Sequence, residues 1–250
     1  MTELTTAPET PFDEQGDPRF GTFVGHCRDT DITPAVKAIG TATGQRFLRQ
    51  KQWQWFGVAN DQIACGGTLL DAGYASVVFV WLFDRKTGQM ILDEADFLPP
   101  FAVDIADNPG PGGGAKVRGL GRTFAVERHS ETVSVDIDLE SLHVELELDT
   151  TATPPVTAIV PAERDGESQG LNVTQKQTCL AARGRISADG RSFRLGDGSF
   201  GMLDYTHGLL PRETSWCWCI AGGVMEDGTT VGFNFALDGP EALENVVWLG

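Results

Sequence analysis

Along most of this chain hydrophobic and polar positions alternate with a period of two, the period of a strand and not of a helix. Residues 131–138 (Glu-Thr-Val-Ser-Val-Asp-Ile-Asp) put Val and Ile on one parity and Ser and Asp on the other. Residues 142–148 (Leu-His-Val-Glu-Leu-Glu-Leu) repeat the pattern, with His143 on the parity of Glu145 and Glu147. Successive strand side chains point to opposite faces, so each segment predicts an antiparallel strand with one wet face. Residues 116–126 read the same way. Residues 74–84 (Tyr-Ala-Ser-Val-Val-Phe-Val-Trp-Leu-Phe-Asp) are apolar on both parities and rich in β-branched and aromatic residues, which predicts the strongest strand of the chain. Strands at 46–60, at 62–70 and, after an Arg85–Gly88 turn, at 89–95 complete a meander. Further strands are predicted at 172–186 and 191–195, at 215–225 and 229–237 around the Glu226-Asp227-Gly228 turn, and at 244–250. One helical turn is expected from Thr33, with Pro34 at its first position. Residues 99–114, 150–161 and 163–170 read as a Gly/Pro loop, a crossover and a polar loop, and residues 1–19 as a flexible lead-in.

Composition narrows the function. The 250 residues are 41% hydrophobic, enough for a real core, and 30 Gly with 13 Pro suit many turns. The net charge of −16 argues against nucleic acid and against docking on anionic membranes, both of which rely on Lys and Arg. The five cysteines are scattered and include no C-x-x-C, so free thiols are expected and no metal. The N-terminus carries neither a basic nor an apolar signal region, and no apolar run is long enough to span a bilayer; a cytoplasmic protein without an integral membrane segment is expected. The Gly-rich run 107–114 lacks a nucleotide-binding pattern, and no cofactor is expected.

Chemistry concentrates in residues 199–223. Asp204, Tyr205 and His207 stand together, Arg212 and Glu213 follow, and Trp216 and Trp218 come at strand spacing with Cys217 and Cys219 on the opposite parity. Large aromatics beside a few titratable groups suit an apolar pocket with polar anchors. They suit equally a polar corner of a β-core, with Asp204 in a turn or strand end and the indoles in the core. Trp53-Gln-Trp55-Phe-Gly-Val-Ala59 echoes Trp216-Cys-Trp218-Cys-Ile-Ala221, which suggests two similar β-halves, 20–160 and 161–250, the second incomplete. The chain stops one strand into a new hairpin, so the natural protein is expected to continue or this copy to be truncated. No Gly-x-Ser-x-Gly elbow is present, and the pairs Asp136/Asp138 and Glu145/Glu147 lie on wet faces, so neither a serine hydrolase nor a glycosidase is favoured.

Three segments, 53–59, Asp-Tyr-Thr-His-Gly-Leu-Leu-Pro-Arg (204–212) and Ser-Trp-Cys-Trp (215–218), carry a resemblance. Over residues 20–250 the chain resembles a bacterial family built on a domain of unknown function. That family is distantly similar to carotenoid 1,2-hydratase (hydroxyneurosporene synthase) and to AttH-like proteins. The resemblance implies an all-β fold of two lipocalin-like antiparallel halves, barrel or sandwich. The hydratases carry an Asp-His-Asn-Trp-Gly type of segment before a Trp-rich strand. Asp204-Tyr205-Thr206-His207-Gly208 keeps the leading Asp and closing Gly, places the His later and lacks the Trp. The implied function is binding of a hydrophobic small molecule, isoprenoid or lipid-like, with acid-catalysed hydration or isomerisation; the alternative is a non-catalytic carrier or a structural β-protein. Such chemistry needs a proton donor and a shelter for a carbocation. Asp204 is the candidate acid and His207 its orienting partner. Tyr205, Arg212, Trp216, Trp218, Trp53 and Trp55 are the candidate substrate-binding residues. The oligomeric state is left open.

Overall fold

The computed structural model describes residues 4–38, 47–119, 121–164, 167–211, 217–237 and 241–250, with the side chains of 163, 164, 167–169, 241 and 242 left aside. Strands β1 (Thr5–Thr6) and β2 (Gly21–Val24) precede the short helix α1 (Thr33–Ala38). The meander β3 (Gln50–Ala59), β4 (Ile63–Asp71), β5 (Ser76–Asp84) and β6 (Gln89–Leu98) follows, then β7 (Val103–Ile105), β8 (Gly114–Val117), β9 (Thr123–Arg128), β10 (Thr132–Asp138) and β11 (Leu142–Asp149). The chain continues through β12 (Val156–Arg164), β13 (Glu167–Ala188), β14 (Arg191–Leu195), β15 (Phe200–Leu209), β16 (Cys217–Val224), β17 (Thr230–Leu237), helix α2 (Glu241–Glu244) and β18 (Val246–Leu249).

The protein is all-β, as the alternation predicts. Strands β1 to β15 build one curled sheet whose main path runs β6-β5-β4-β3-β15-β13-β11-β10-β9-β8-β7, and β16-β17-β18 form a second, three-stranded sheet. The curl brings one parity of each strand inward. Phe56 and Val58 of β3, Val80 and Leu82 of β5, Phe124 and Val126 of β9, Val133 and Val135 of β10, Leu146 and Leu148 of β11 and Leu203 of β15 meet there as one buried core.

Strand β13 is the spine. Its first half pairs with β12 up to Lys176 and its second half with β11 from Ala181, both on one edge; β15 and β14 share the other edge. The change of neighbour coincides with a break in register between Gln177 and Leu180, where Cys179 takes φ 60°. A bulge of this kind bends a strand that would otherwise run straight off the core. Five residues on, Gly184 has φ +133°, and a Cβ there would lie 2.0 Å from the Glu145 carbonyl oxygen, so only glycine lets β11 pair at this point.

The second sheet lies on the outer face of the first. Cβ atoms added to Gly222 and Gly232 would run into Thr178 and Cys179, so the two glycines allow that approach. Thr178 Oγ1 donates to the Ala221 carbonyl at 3.1 Å, and Trp248 Nε1 to the Pro154 carbonyl at 3.0 Å. The two meanders share a rung: Gly57 faces Gly66, which faces Trp81, as Gly222 faces Gly232, which faces Trp248. In this register Trp218 matches Trp53, two residues displaced from the alignment that the Trp-x-Trp spacing suggests.

Several segments differ from expectation. Residues 4–19 are folded: β1 pairs with β2, and Phe12 is buried against Cys27, Ile159 and Val173, an apolar anchor that the polar composition hides. The loop 99–114 contains β7, and 116–126 divides into β8 and β9. The crossover contains β12, which forms a hairpin with β13 across most of the expected polar loop. The division expected at 160/161 falls inside β12, both of whose edges pair within the large sheet; the change of sheet comes after Leu209.

Candidate functional site

Strand β15 carries Asp204-Tyr205-Thr206-His207 as a strand interior, not a turn, and its parity splits the four residues. Asp204 pairs across with Trp55 and Lys176, and Thr206 with Trp53 and Thr174. These face the second sheet. Tyr205 pairs with Gln54 and Gln175, and His207 with Gln52 and Val173, which face the curled interior. The expected Asp204/His207 partnership is therefore divided between opposite faces of one strand, because residues three apart on a strand cannot share a side.

On the outer face, Asp204 is buried and every polar contact to its carboxylate comes from a donor. Trp53 Nε1 donates to Oδ2 at 3.1 Å, and Oδ1 receives Lys176 Nζ and, at 3.4 Å, Thr174 Oγ1. Lys176 is 6% exposed, so the ion pair sits out of water. Its ammonium lies 5.3 Å from the centroid of the Trp218 ring, and Trp218 meets Trp55 edge-on with centroids 5.1 Å apart. Trp218 Nε1 donates to Asn234 Oδ1 at 2.7 Å, and Asn234 Nδ2 to the Glu244 carbonyl at 2.8 Å, which ties α2 to the cluster. Burial pushes the Glu244 carboxyl up from its ordinary value and Asp204 adds to the rise, while Lys176 opposes it.

The inner face holds a separate polar network. The Tyr205 hydroxyl lies 2.7 Å from Thr30 Oγ1, accepts from Gln52 Nε2 at 2.9 Å and donates to the Ala106 carbonyl at 3.1 Å. Burial pushes its phenol well above the ordinary range. His207 Nδ1 lies 3.3 Å from both Thr30 Oγ1 and Asp107 Oδ1, and its Nε2 lies 2.9 Å from Gln50 Nε2. Gln54 donates to the Trp55 and Asp204 carbonyls and turns its own oxygen to the Arg128 guanidinium.

Of the residues singled out from the sequence, Asp204, Trp53, Trp55 and Trp218 converge on the outer face, and Tyr205 and His207 form the inner cluster. Arg212 and Trp216 lie outside the described residues. Lys176, Thr174, Glu244, Gln54 and Arg128 were not singled out. The available signal is polarity inside strand text, Gln52 and Gln54 on either side of Trp53 and Thr174-Gln-Lys-Gln-Thr178 between apolar runs, where a wet face would have alternated. Cys217 and Cys219 lie exposed on the far side of β16, and Cys27, Cys65 and Cys179 are buried free thiols. Among the described residues no group of three or more His, Cys, Asp or Glu could hold a metal, and no helix is long and apolar enough to cross a membrane. A small apolar cleft of about 40 Å³ opens elsewhere, at the seam between β5–β6 and β8–β9, lined by Val80, Leu98, Val117 and Phe124, with Arg122 paired to Asp96 among its lining residues.

A curled antiparallel sheet backed by a second sheet, with a buried ion pair under indoles between them, defines the class of this protein. The family follows from the sequence: residues 2–250 match the profile of the domain of unknown function DUF2804, and the chain belongs to that family. Solved structures similar to it include a putative AttH from Nitrosomonas europaea (13% identity, 81% of this chain and 64% of that chain, TM-score 0.47). Kievitone hydratase from Nectria haematococca matches at 10% identity over 89% of this chain and 68% of that chain, with TM-score 0.49. CghA, solved with Sch210972, matches at 12% identity over 98% of this chain and 66% of that chain, with TM-score 0.53. The chain thus spans about two thirds of the length of these proteins, and at such identity the likeness to CghA speaks for the fold alone. No curated protein sequence matches significantly.

Proposed function

We propose that the chain binds a hydrophobic small molecule, isoprenoid or lipid-like, at the outer-face cluster around Asp204, in a lipocalin-like setting, and that this cluster supports acid-catalysed hydration or isomerisation. The observation that carries the reading is the Asp204–Lys176 pair, buried between two sheets and flanked by Trp53, Trp55 and Trp218. An apolar layer with one charged pair is what orients an apolar ligand that bears a single polar group. In such a reaction an acid protonates one alkene carbon and an indole face shelters the cation that forms at the other; water then adds to the cationic carbon and gives up a proton, or a proton leaves from a carbon next to it. Asp204, surrounded by donors, is held as an acceptor. Its part is to fix the Lys176 ammonium beside the Trp218 ring. Glu244, whose carboxyl burial pushes up, is the second acid of the same face.

The rival, a non-catalytic carrier or structural β-protein, is favoured by the completeness of the Asp204 contacts and by the indoles packing on one another. Native mass spectrometry of protein purified from its source separates these readings, a co-purified apolar ligand being expected and its absence counting for the structural one. Asp204→Asn then divides enzyme from carrier: lost turnover with retained ligand supports catalysis, and unchanged turnover sinks it.

A further inference from the structure

The inner face carries a charge that no carboxylate among the described residues pairs with. β9 points Phe124, Val126 and Arg128 inward in turn, so the first two join the apolar core and the third brings a guanidinium to its end. Arg128 is 5% exposed. Its Nε and one terminal nitrogen donate to Gln54 Oε1 at 3.3 and 3.0 Å, and among the described residues no carboxylate forms an ion pair with it. Gln54 cannot swing to offer more, because its amide nitrogen is committed to the Trp55 and Asp204 carbonyls. A guanidinium has five N–H donors in a planar fork, and a single amide oxygen leaves most of the fork unanswered. A buried charge answered only by a neutral amide is among the costlier features a fold can keep.

Burial lowers the Arg128 pKa to about 10, so at neutral pH the group stays cationic. The groups in contact with it are neutral, and the carboxylate of this network, Asp107, is turned to Gln52 and His207. Tyr205 and Gln52 lie on the same inward face, and Asp204, although its charge is felt here, points through the sheet to Lys176. His26, half-buried, holds Gln175 Oε1 at 2.9 Å, and burial together with the Arg128 and Arg28 charges keeps its ring from protonating easily. Residues 108–114 close this end: Gly112 N donates to the Arg128 carbonyl, Arg128 N to the Gly113 carbonyl, and Gly110 lies so near His26 that a Cβ would sit 3.1 Å from Cγ. This Gly- and Pro-rich loop thus packs on His26 and pairs with the backbone of Arg128.

We propose that this polar end of the curled interior is an anion site, where the Arg128 fork takes a small monoanion, either the carboxylate of an organic acid or an inorganic ion such as chloride. The site is on the opposite face of β15 from the Asp204 cluster and does not depend on the reading given for that cluster. A carboxylate suits the fork in two-point contact, and chloride shares the charge but not the shape.

The test is direct binding to the intact protein. Line broadening of 13C-acetate and of 35Cl− is measured with wild-type protein and with Arg128→Gln and Arg128→Lys, at matched ionic strength and pH 7. Excess broadening by wild type is expected, with at least a fivefold loss in Arg128→Gln and an intermediate value in Arg128→Lys. Acetate alone broadened assigns the carboxylate, and chloride alone the inorganic ion. If Arg128→Gln does not fold, the comparison rests on Arg128→Lys and on displacement of acetate by unlabelled formate in the wild type. No excess broadening by wild type, or equal broadening by wild type and a folded variant, overturns the proposal.

Discussion

Lys176 and Asp204 stabilise the fold only as a pair. Removing one partner strands the other charge out of water, which costs about 3–5 kcal/mol, whereas replacing both with apolar side chains of similar volume is often neutral. Lys176→Met is therefore expected to lower stability by about that amount in urea unfolding, and Lys176→Met/Asp204→Leu to recover most of it; equal loss in single and double variants would contradict the pairing. Glu244 behaves oppositely. Its folded pKa is raised above the ordinary 4.5, so its contribution is present below that value and lost as pH rises through the folded one. Glu244→Gln should raise the urea midpoint at pH 7 and leave it unchanged near pH 4. His26 has a lowered folded pKa, so its contribution is intact above about pH 6.5 and lost as pH falls through the folded value. His26→Gln should show a shallower loss of stability than wild type between pH 7 and pH 5. At this scale the sequence is half legible. Asp204 and three tryptophans could be found from residue type and spacing, and the parity that divides Asp204 from His207 was already in the numbering. Polarity inside strand text marks Lys176 as unusual but does not name its partner, and Glu244 carries no local signal, because each reaches the cluster through long-range pairing.

Strand by strand, alternation located most of the sheet, and it failed where the ladder is irregular. The sequence predicts a strand at 172–186, but the 22 residues of β13, its bulge at Gln177–Leu180 and its exchange of β12 for β11 follow from tertiary pairing. The division expected at 160/161 follows the expected crossover 150–161, and that stretch leads into β12. Glycine gives this element a sharp test. A Cβ at Gly184 would meet the Glu145 carbonyl oxygen at 2.0 Å and its carbon at 3.0 Å, backbone that cannot yield without parting β13 from β11. Gly184→Ala is expected to cost roughly 3 kcal/mol or more, visible as a lower urea midpoint or lost soluble yield. At Gly57 the nearest atoms belong to the Trp55 ring, so Gly57→Ala disturbs the Trp55–Trp218 contact first and the ladder less.

Seen whole, the molecule has two apolar meanders of matching register with different fates. The inward face of the first, with Phe56, Val58, Cys65, Leu69, Val80 and Leu82, is covered by the strands that complete the curl. The second turns Trp218, Gly222, Gly232 and Trp248 toward the large sheet, and its far face carries Cys217, Cys219, Phe233, Phe235, Leu237, Val247 and Leu249. Phe233 and Phe235 stack there at 4.9 Å, and Leu237, Val247 and Leu249 are each more than half exposed. A sheet that is apolar on both faces has the pattern of an inner layer, and exposed patches of this kind drive association or binding. This chain on its own is therefore expected to bind a hydrophobic dye such as ANS strongly and to self-associate with concentration in sedimentation velocity. The net charge of −16 opposes contact between copies, so added salt should promote association, the reverse of a salt-bridged interface. Phe235→Lys/Leu249→Lys leaves the buried face untouched and should reduce both dye binding and the apparent mass. If wild type stays monomeric in high salt and binds no more dye than the double variant, the far face is not sticky, and the contrast between the two meanders has no consequence in solution.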